Sequence, residues 1–293
     1  MTWDALVAVD WGTTSLRIAR IAPDGSVLEE RGSGRGILSV PAGGFPAVLH
    51  ETCGDWLAGA GALCLASGMA GSRQGWREAP YIACPAGFAE LAAGLAWVEP
   101  ARIALVPGLS CETRGVPDVI RGEEVQVFGA MDLLRLDDGV FVLPGTHSKW
   151  VRVADRRVQS FATFMTGEVY ALLRQHSILA RMMPADDGPL DEDAFVRGVR
   201  HAQEAQGLLH GAFSARTLAL FERMPQPALP SYLSGLVIGE ELRMRDPAAS
   251  ALVLVGNPLL TRRYELGLRT LGCAARSVGA QATWRGLWAL ART

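Results

Sequence analysis

The chain has 293 residues, 49% of them hydrophobic and 20% charged, which allows one large or two ordinary domains and argues against wholesale disorder. A net charge of −2 offers no electrostatic case for nucleic acid or an anionic membrane, and no apolar run reaches the length of a membrane span. Five widely spaced cysteines without Cys-x-x-Cys, five histidines without zinc spacing, and an acidic start that does not read as a signal peptide point to a cytoplasmic protein with free, mostly buried thiols.

Residues 5–10, 15–22 and 26–34 read as three short strands, with turns at Trp11–Thr14 and Pro23–Gly25. Gly32-Ser-Gly34-Arg-Gly36 resembles part of a dinucleotide fingerprint, but no convincing helix follows it and no acid ends a second strand, so that reading is set aside. A helix is expected over Phe45–Ala58, a buried strand over Ala62–Ser67, a polar small-residue loop to Trp76, a helix over 86–96 and a strand over 102–107. The pattern then repeats in outline. A helix at Glu123–Leu134 leads to strands at Gly139–Leu143, Trp150–Ala154 and Val158–Phe164. Thr166–Met182 reads as a helix capped by Thr166 or Gly167, with Glu168 in its first turn. Residues 186–245 are mainly helical, with an acid run at Asp186, Asp187, Asp191, Glu192 and Asp193 that reads as a solvated face or helix start. A strand at Ala251–Val255 ends in Gly256-Asn257-Pro258; a helix at 259–271, a strand near 273–278 and a helix at 281–291 close the chain. The order is two β-β-β-α-β-α units in tandem, the second enlarged by the insert at about 186–245.

Two hairpins carry the chemistry. In Val7–Arg20 an apolar run breaks at Asp10-Trp11-Gly12-Thr13-Thr14-Ser15 and resumes. Glycine lets backbone approach a phosphate, Thr and Ser supply donors, and the acid can hold magnesium directly or through water. The alternative is a plain hairpin. Phe141–Trp150 offers a second such turn, Gly145-Thr146-His147-Ser148, with Lys149, the sole lysine, at its end. Two such turns at matching places would clamp a polyphosphate. A Walker loop is excluded because Trp150 follows Lys149, and a protein kinase because the chain lacks Val-Ala-Ile-Lys and His-Arg-Asp.

These residues carry a resemblance. Asp10–Thr14 is similar to the first phosphate motif of the actin-like ATPase superfamily, which includes sugar kinases, hexokinases and actin. Pro144–Ser148 is similar to the second, with Pro144 where an Asp is usual, and Val255–Leu260 occupies the place of the adenosine motif. Together with Gly71–Trp76, Pro117–Glu124 and Phe164–Tyr170, these stretches resemble the 2-dehydro-3-deoxygalactonokinase family over essentially the whole chain. The resemblance implies two tandem actin-like (ribonuclease H-like) α/β domains, 1–116 and 117–293, with the active site in the interdomain cleft and closure on substrates. It implies ATP and Mg2+ as cofactors and phosphorylation of the 6-hydroxyl of 2-dehydro-3-deoxy-D-galactonate in galactonate breakdown. No nucleic-acid or membrane partner is implied; the insert is the stretch offered for contact between copies.

Phosphoryl transfer needs charge neutralisation, in-line positioning and often a base. Asp10 is the candidate metal acid. Gly12, Thr13, Thr14, Ser15, Gly145, Thr146, His147, Ser148, Lys149, Gly256 and Asn257 are candidates for the nucleotide. Lys149 either pairs with phosphate or, turned away by strand alternation, points to solvent. By likeness to glycerol-type kinases, where a catalytic Asp follows a glycine at a helix start, the base is sought among Glu123, Glu124 and Asp118, Glu123 first; the alternative is that these acids serve the helix dipole. A sugar acid needs a cation for its carboxylate. Arg73, beside Ser72, Gln74 and Trp76, is the first choice, with Arg121 and Arg114 next. Glu168 either touches substrate or caps its helix. Trp11, Trp76 and Trp150 are expected to pack beneath the turns. The competing readings are a kinase for another sugar acid such as 2-dehydro-3-deoxygluconate, an exopolyphosphatase-like phosphohydrolase, and a non-catalytic regulator.

Overall fold

The computed structural model describes residues 3–59, 61–245 and 251–293. Strands β1 (Ala5–Trp11), β2 (Leu16–Ile21) and β3 (Val27–Ser33) form the expected meander, followed by helix α1 (Phe45–Leu57) and β4 (Ala62–Gly68). Next come β5 (Tyr81–Ala83), α2 (Phe88–Ala93), β6 (Ala96–Glu99), β7 (Ile103–Leu105), β8 (Gly108–Thr113) and β9 (Val116–Ile120). Then follow α3 (Glu123–Leu134), β10 (Gly139–Leu143), β11 (Ser148–Ala154) and β12 (Arg157–Phe164). The rest is largely helical: α4 (Thr166–His176), α5 (Glu192–Glu204), α6 (Leu208–Gly211), α7 (Ser214–Leu220) and α8 (Leu229–Arg243), then β13 (Leu252–Val255), α9 (Pro258–Thr270), β14 (Arg276–Val278) and α10 (Gln281–Ala291).

The first sheet has the order β3-β2-β1-β4-β7-β6. Its central strand β1 runs antiparallel to β2 and parallel to β4. Residues Leu6–Val9 are fully buried, which is why β1 reads as a continuous apolar run rather than an alternation. A second sheet has the order β12-β11-β10-β13-β14, with β10 parallel to β13. Both sheets thus place a glycine-bearing hairpin turn at the end of a strand that pairs in parallel with a later strand. No helix among the described residues is long and apolar enough to cross a membrane.

Three local expectations are corrected. The helix expected at 86–96 is only α2, Phe88–Ala93; Gly94 ends it, and residues 96–99 pair antiparallel with β7. The helix from Thr166 stops at His176, because Ser177 adopts an extended conformation and its hydroxyl donates to Leu173 O at 2.6 Å; residues 178–182 form a 3-10 turn. Neither Thr166 nor Gly167 caps α4; the cap position is Met165, and the Thr166 hydroxyl is engaged by Glu241. The small sheet β5-β8-β9 was not foreseen at all.

By its contacts the chain divides into two compact units: Met1–Gly139 with Val151–Ala162 and Val278–Thr293, and Val140–Trp150 with Thr163–Ser277. This division differs from the boundary expected at 116/117. Helix α3 belongs with the first unit because it packs on α10 at backbone distance. A Cβ on Gly129 would come within 1.8 Å of Ala282 O, and one on Gly286 within 2.0 Å of Val125 O. Gly129→Ala should therefore lower stability by about 3 kcal/mol, whereas Gly34→Ala, which meets nothing within 4 Å, should stay within about 0.5 kcal/mol of the parent. Chemical denaturation of the two variants checks this; equal midpoints would refute the close packing.

Candidate active site

In the first unit, the turn after β1 closes with Gly12 N–H donating to Ser15 O at 2.9 Å. Its carbonyls are held from behind: Ile37 N–H donates to Gly12 O at 3.0 Å and Leu38 N–H to Thr13 O at 3.2 Å. Gly36 makes this possible, since a Cβ there would lie 2.3 Å from Thr13 O. Of the glycines at 32, 34 and 36, Gly36 is the one that lies against this turn. Thr13, Thr14 and Ser15 are exposed, and among the described residues the Thr13 and Thr14 amides donate to no carbonyl. Such a braced turn with outward amides and hydroxyls suits an anion.

Asp10, at the end of β1, faces Arg17 across the hairpin, and the two side chains form an ion pair. Two glycines with positive φ bring a second acid-bearing segment up to this strand end. Gly68 (φ +89°) closes β4; a Cβ there would sit 2.8 Å from Trp11 O and 3.5 Å from Asp10 Oδ1. Gly122 (φ +105°) precedes α3; a Cβ there would come within 3.2 Å of Gly68 Cα and 3.9 Å of Ser67 Oγ. Asp10 and the acids of α3 are therefore gathered by direct glycine-to-glycine contact.

The three candidate bases differ. Asp118 is half-buried, and its Oδ1 accepts its neighbour Val119 N–H at 2.8 Å. Glu123 is half-buried and accepts Arg121 N–H at 2.9 Å. Glu124 is fully buried; one oxygen accepts Gly122 N–H at 2.7 Å and the other has no hydrogen-bond partner. Burial, with a smaller push from Glu123's charge, raises the Glu124 carboxyl to about 8.

The loop after β4 sorts its residues clearly. Arg73 is 87% exposed and paired with Glu78 at 3.0 Å, and Gln74 is exposed as well. Trp76 stacks on Phe45 and meets Trp11 edge-on, so it packs beneath the turn as expected. Arg121 is held against the same loop: its guanidinium lies 4.2 Å over the Tyr81 ring and Nη2 donates to Ala79 O at 2.8 Å. Its Nη1 abuts Gly71 and has no partner; the Ser72 hydroxyl is also buried without one. Arg114 is exposed in the β8–β9 turn, apart from this cluster of contacts.

In the second unit, the turn Gly145–Ser148 lies on the start of α4. A Cβ on Gly167 would lie 2.4 Å from Gly145 O; Glu168 N–H donates to Thr146 O at 3.0 Å, and His147 Nε2 meets Glu168 Oε2 at 2.6 Å. Glu168 thus ties its helix to the turn rather than capping the helix. Ser148 and Lys149 do not face an open phosphate site. Both are buried; the Ser148 hydroxyl donates to Glu241 at 2.7 Å, and Lys149 Nζ donates to Thr163 Oγ1 at 3.0 Å. Lys149 is thus buried where the alternative to phosphate was a solvent-facing side chain, and Glu241 carries no signal in the sequence that separates it from a surface helix acid.

A cavity of about 330 Å³ opens beside this turn. Gly145, Gly167, Tyr170, Asn257, Leu260 and Arg263 contribute to its wall, all within the second unit. Asn257, after the positive-φ Gly256 that follows β13, caps α9 by accepting Leu259 N–H at 2.8 Å. The Gly145–Ser148 turn and the segment after the glycine-ended strand, far apart in sequence, thus line one pocket. Among the described residues no group of three His, Cys, Asp or Glu side chains could hold a metal by itself.

The sequence profile of the 2-keto-3-deoxy-galactonokinase family matches residues 10–290. The chain belongs to that family. The chain is 34% identical to the 2-dehydro-3-deoxygalactonokinase of Escherichia coli (strain K12), over 95% of its own length and 94% of the relative's. It is 39% identical to a Rhizobium meliloti (strain 1021) relative named "Probable 2-dehydro-3-deoxygalactonokinase", over 97% and 96%. A crystal structure from Sinorhizobium meliloti, assigned to the same kinase, superposes with a TM-score of 0.88 at 37% identity, covering 99% of this chain and 98% of the other. At 10% identity the Acidaminococcus fermentans (R)-2-hydroxyglutaryl-CoA dehydratase component A still gives a TM-score of 0.52, over 98% and 96%. The fold is that of the actin-like ATPases, and the galactonokinase family to which the chain belongs consists of phosphotransferases.

The buried acid Glu124 has a measurable signature in this chain. Glu124 holds its proton more tightly folded, at about 8, than at its ordinary 4.5. Its contribution is full below pH 4.5 and is lost as pH rises through 8, an effect on the order of a few kcal/mol. Glu124→Gln should flatten the fall in melting temperature between pH 5 and 9; an unchanged profile would show that Glu124 does not titrate there.

Proposed function

We propose that this kinase transfers the γ-phosphoryl group of ATP to the 6-hydroxyl of 2-dehydro-3-deoxy-D-galactonate, with Mg2+. The observation that carries the nucleotide half is the single cavity lined by Gly145 and Asn257, one from the second phosphate turn and one from the adenosine motif. Family membership carries the sugar-acid half: relatives at 34% and 39% identity over nearly the whole chain bear that kinase's name.

The residues divide the work as follows. Thr13, Thr14 and Ser15 present donors to phosphate from the braced first turn, and Gly145 and Thr146 do so from the second. Asp10 is the residue that would hold magnesium; among the described residues no group of three His, Cys, Asp or Glu side chains accompanies it, which fits an ion bound largely through substrate phosphates. Bound Mg·ATP supplies the phosphoryl group and neutralises its charge. Asp10 is paired with Arg17, and a metal at Asp10 would compete with that ion pair. Glu123 accepts the hydroxyl proton. It is the acid at the glycine-led helix start that retains exposure, whereas Glu124 lies fully inside. Arg121 and Ser72 receive the sugar acid's carboxylate, which would satisfy two polar groups otherwise left without partners. Arg73, pointing outward toward Glu78, is the weaker candidate.

A coupled ADP assay over a panel of 2-dehydro-3-deoxy sugar acids tests this. ADP release should require the acid and favour the galactonate epimer; release from ATP alone would indicate a phosphohydrolase, and turnover with neutral sugars only would sink the substrate assignment. Glu123→Gln should lower kcat by about 100-fold or more. Arg121→Met should raise KM for the sugar acid far more than Arg73→Met does; the reverse order would return the carboxylate to Arg73.

A further inference from the structure

Glu241, on α8, is 2% exposed, yet its carboxylate receives four side-chain donors. Ser148 Oγ (2.7 Å) and Trp150 Nε1 (2.6 Å) donate to Oε1; Tyr264 Oη (2.7 Å) and the Thr166 hydroxyl donate to Oε2. Among the described residues no salt bridge reaches it, though the partly buried Arg245 is near enough to feel its charge. A buried carboxylate is tolerated only where donors replace its water, and four do so here. Burial and the Glu241 charge together hold the Tyr264 phenol protonated, and hence a donor.

Each donor belongs to a piece of the nucleotide pocket or its phosphate turn. Ser148 closes the second turn, and Trp150 lies two residues further along the same strand. Thr166 opens α4, whose Gly167 and Glu168 lie against Gly145 and Thr146. Tyr264 is on α9, the helix that Asn257 caps. Thr166 and Tyr264 also line the cavity itself. The phosphate-side turn and the nucleoside-side helix thus converge on one carboxylate.

We propose that Glu241 is a positioning residue for nucleotide binding: it sets the register of the second phosphate turn against α9, so that one ligand can satisfy both. This rests on the reading of the cavity as the nucleotide pocket. Its consequence is graded. A ligand that touches only the nucleoside side does not use the register, whereas one that spans both sides depends on it.

The test is calorimetric binding of adenosine, ADP and ATP to the full-length protein, alongside steady-state kinetics. Glu241→Gln keeps the shape but removes the charge and one acceptor. It should weaken ATP binding at least 10-fold, ADP less and adenosine under two-fold, raise KM for ATP, and leave KM for the sugar acid within two-fold. A variant with a lower melting temperature but unchanged affinities would reduce Glu241 to a structural role and overturn the proposal. If Glu241→Gln does not fold, Ser148→Ala and Thr166→Val, which each remove one of the four donors, should weaken ATP about three- to five-fold and spare adenosine. Equal losses for all three ligands would overturn the graded effect. If the parent binds none of them, the pocket assignment fails and this proposal with it; parental ATP binding with no graded loss in the variants rejects this proposal alone.

Discussion

Backbone meets backbone at a few glycines, and the positions of the reactive groups depend on it. Gly68 against Gly122 lets the end of β4 touch the start of α3, which is how an acid from residue 10 and acids from residues 123–124 come to share a neighbourhood. Gly36 performs the same service for the Thr13–Thr14 turn, and Gly167 for the Gly145 turn. A side chain at any of these places would separate elements by the width of a methyl group. Reacting atoms must be held to within fractions of an ångström, so that displacement is felt in the chemistry before it is felt in the fold.

Charge is managed differently in the two units. In the first, Asp10 and Glu123 keep some exposure and Asp10 is paired with a half-exposed arginine, so a cation or a substrate can compete for them. In the second, two charges near the Gly145–Ser148 turn are withdrawn from solvent, while the His147–Glu168 pair stays half-exposed. Lys149, the only lysine, is buried against Thr163, and Glu241 is covered by its four donors. What the second turn leaves exposed is Thr146 and His147. Arginine carries the remaining cationic work, and its fixed fork suits carboxylate and phosphate alike.

The sequence made most of this architecture legible where the hydrophobic period was clean. β1, α3, β13 and α10 follow continuous or helical apolar patterns, and the braced turn after β1 announced itself by glycine and hydroxyls. The β8–β9 hairpin did not. Its two-residue turn is Arg114-Gly115, both at positive φ, without the Asn or Asp that usually marks such a turn, and Pro117 sits inside the second strand, which argues against a strand when read alone. At the site, residue types were legible but not directions. Asp10, Thr13 and Gly145 lie at turns, where direction follows from the turn. Arg73, Ser148 and Lys149 depend on which way a loop or strand faces: Arg73 is exposed against Glu78, and Ser148 and Lys149 are buried against Glu241 and Thr163.

Pro144 illustrates how a missing residue is read once the fold is known. Its position suggested that an acid had been lost from the second turn. The carboxylate nearest in function is Glu241, and it lies behind the turn rather than at its mouth, holding Ser148 and Thr166 from the buried side. An acid at the mouth would repel phosphate unless a metal stood between them. An acid behind the turn orients hydroxyls and a helix start without meeting the ligand. The two turns differ in electrostatics: Asp10, beside the first, is paired with Arg17, whereas Glu241, behind the second, is held by four neutral donors.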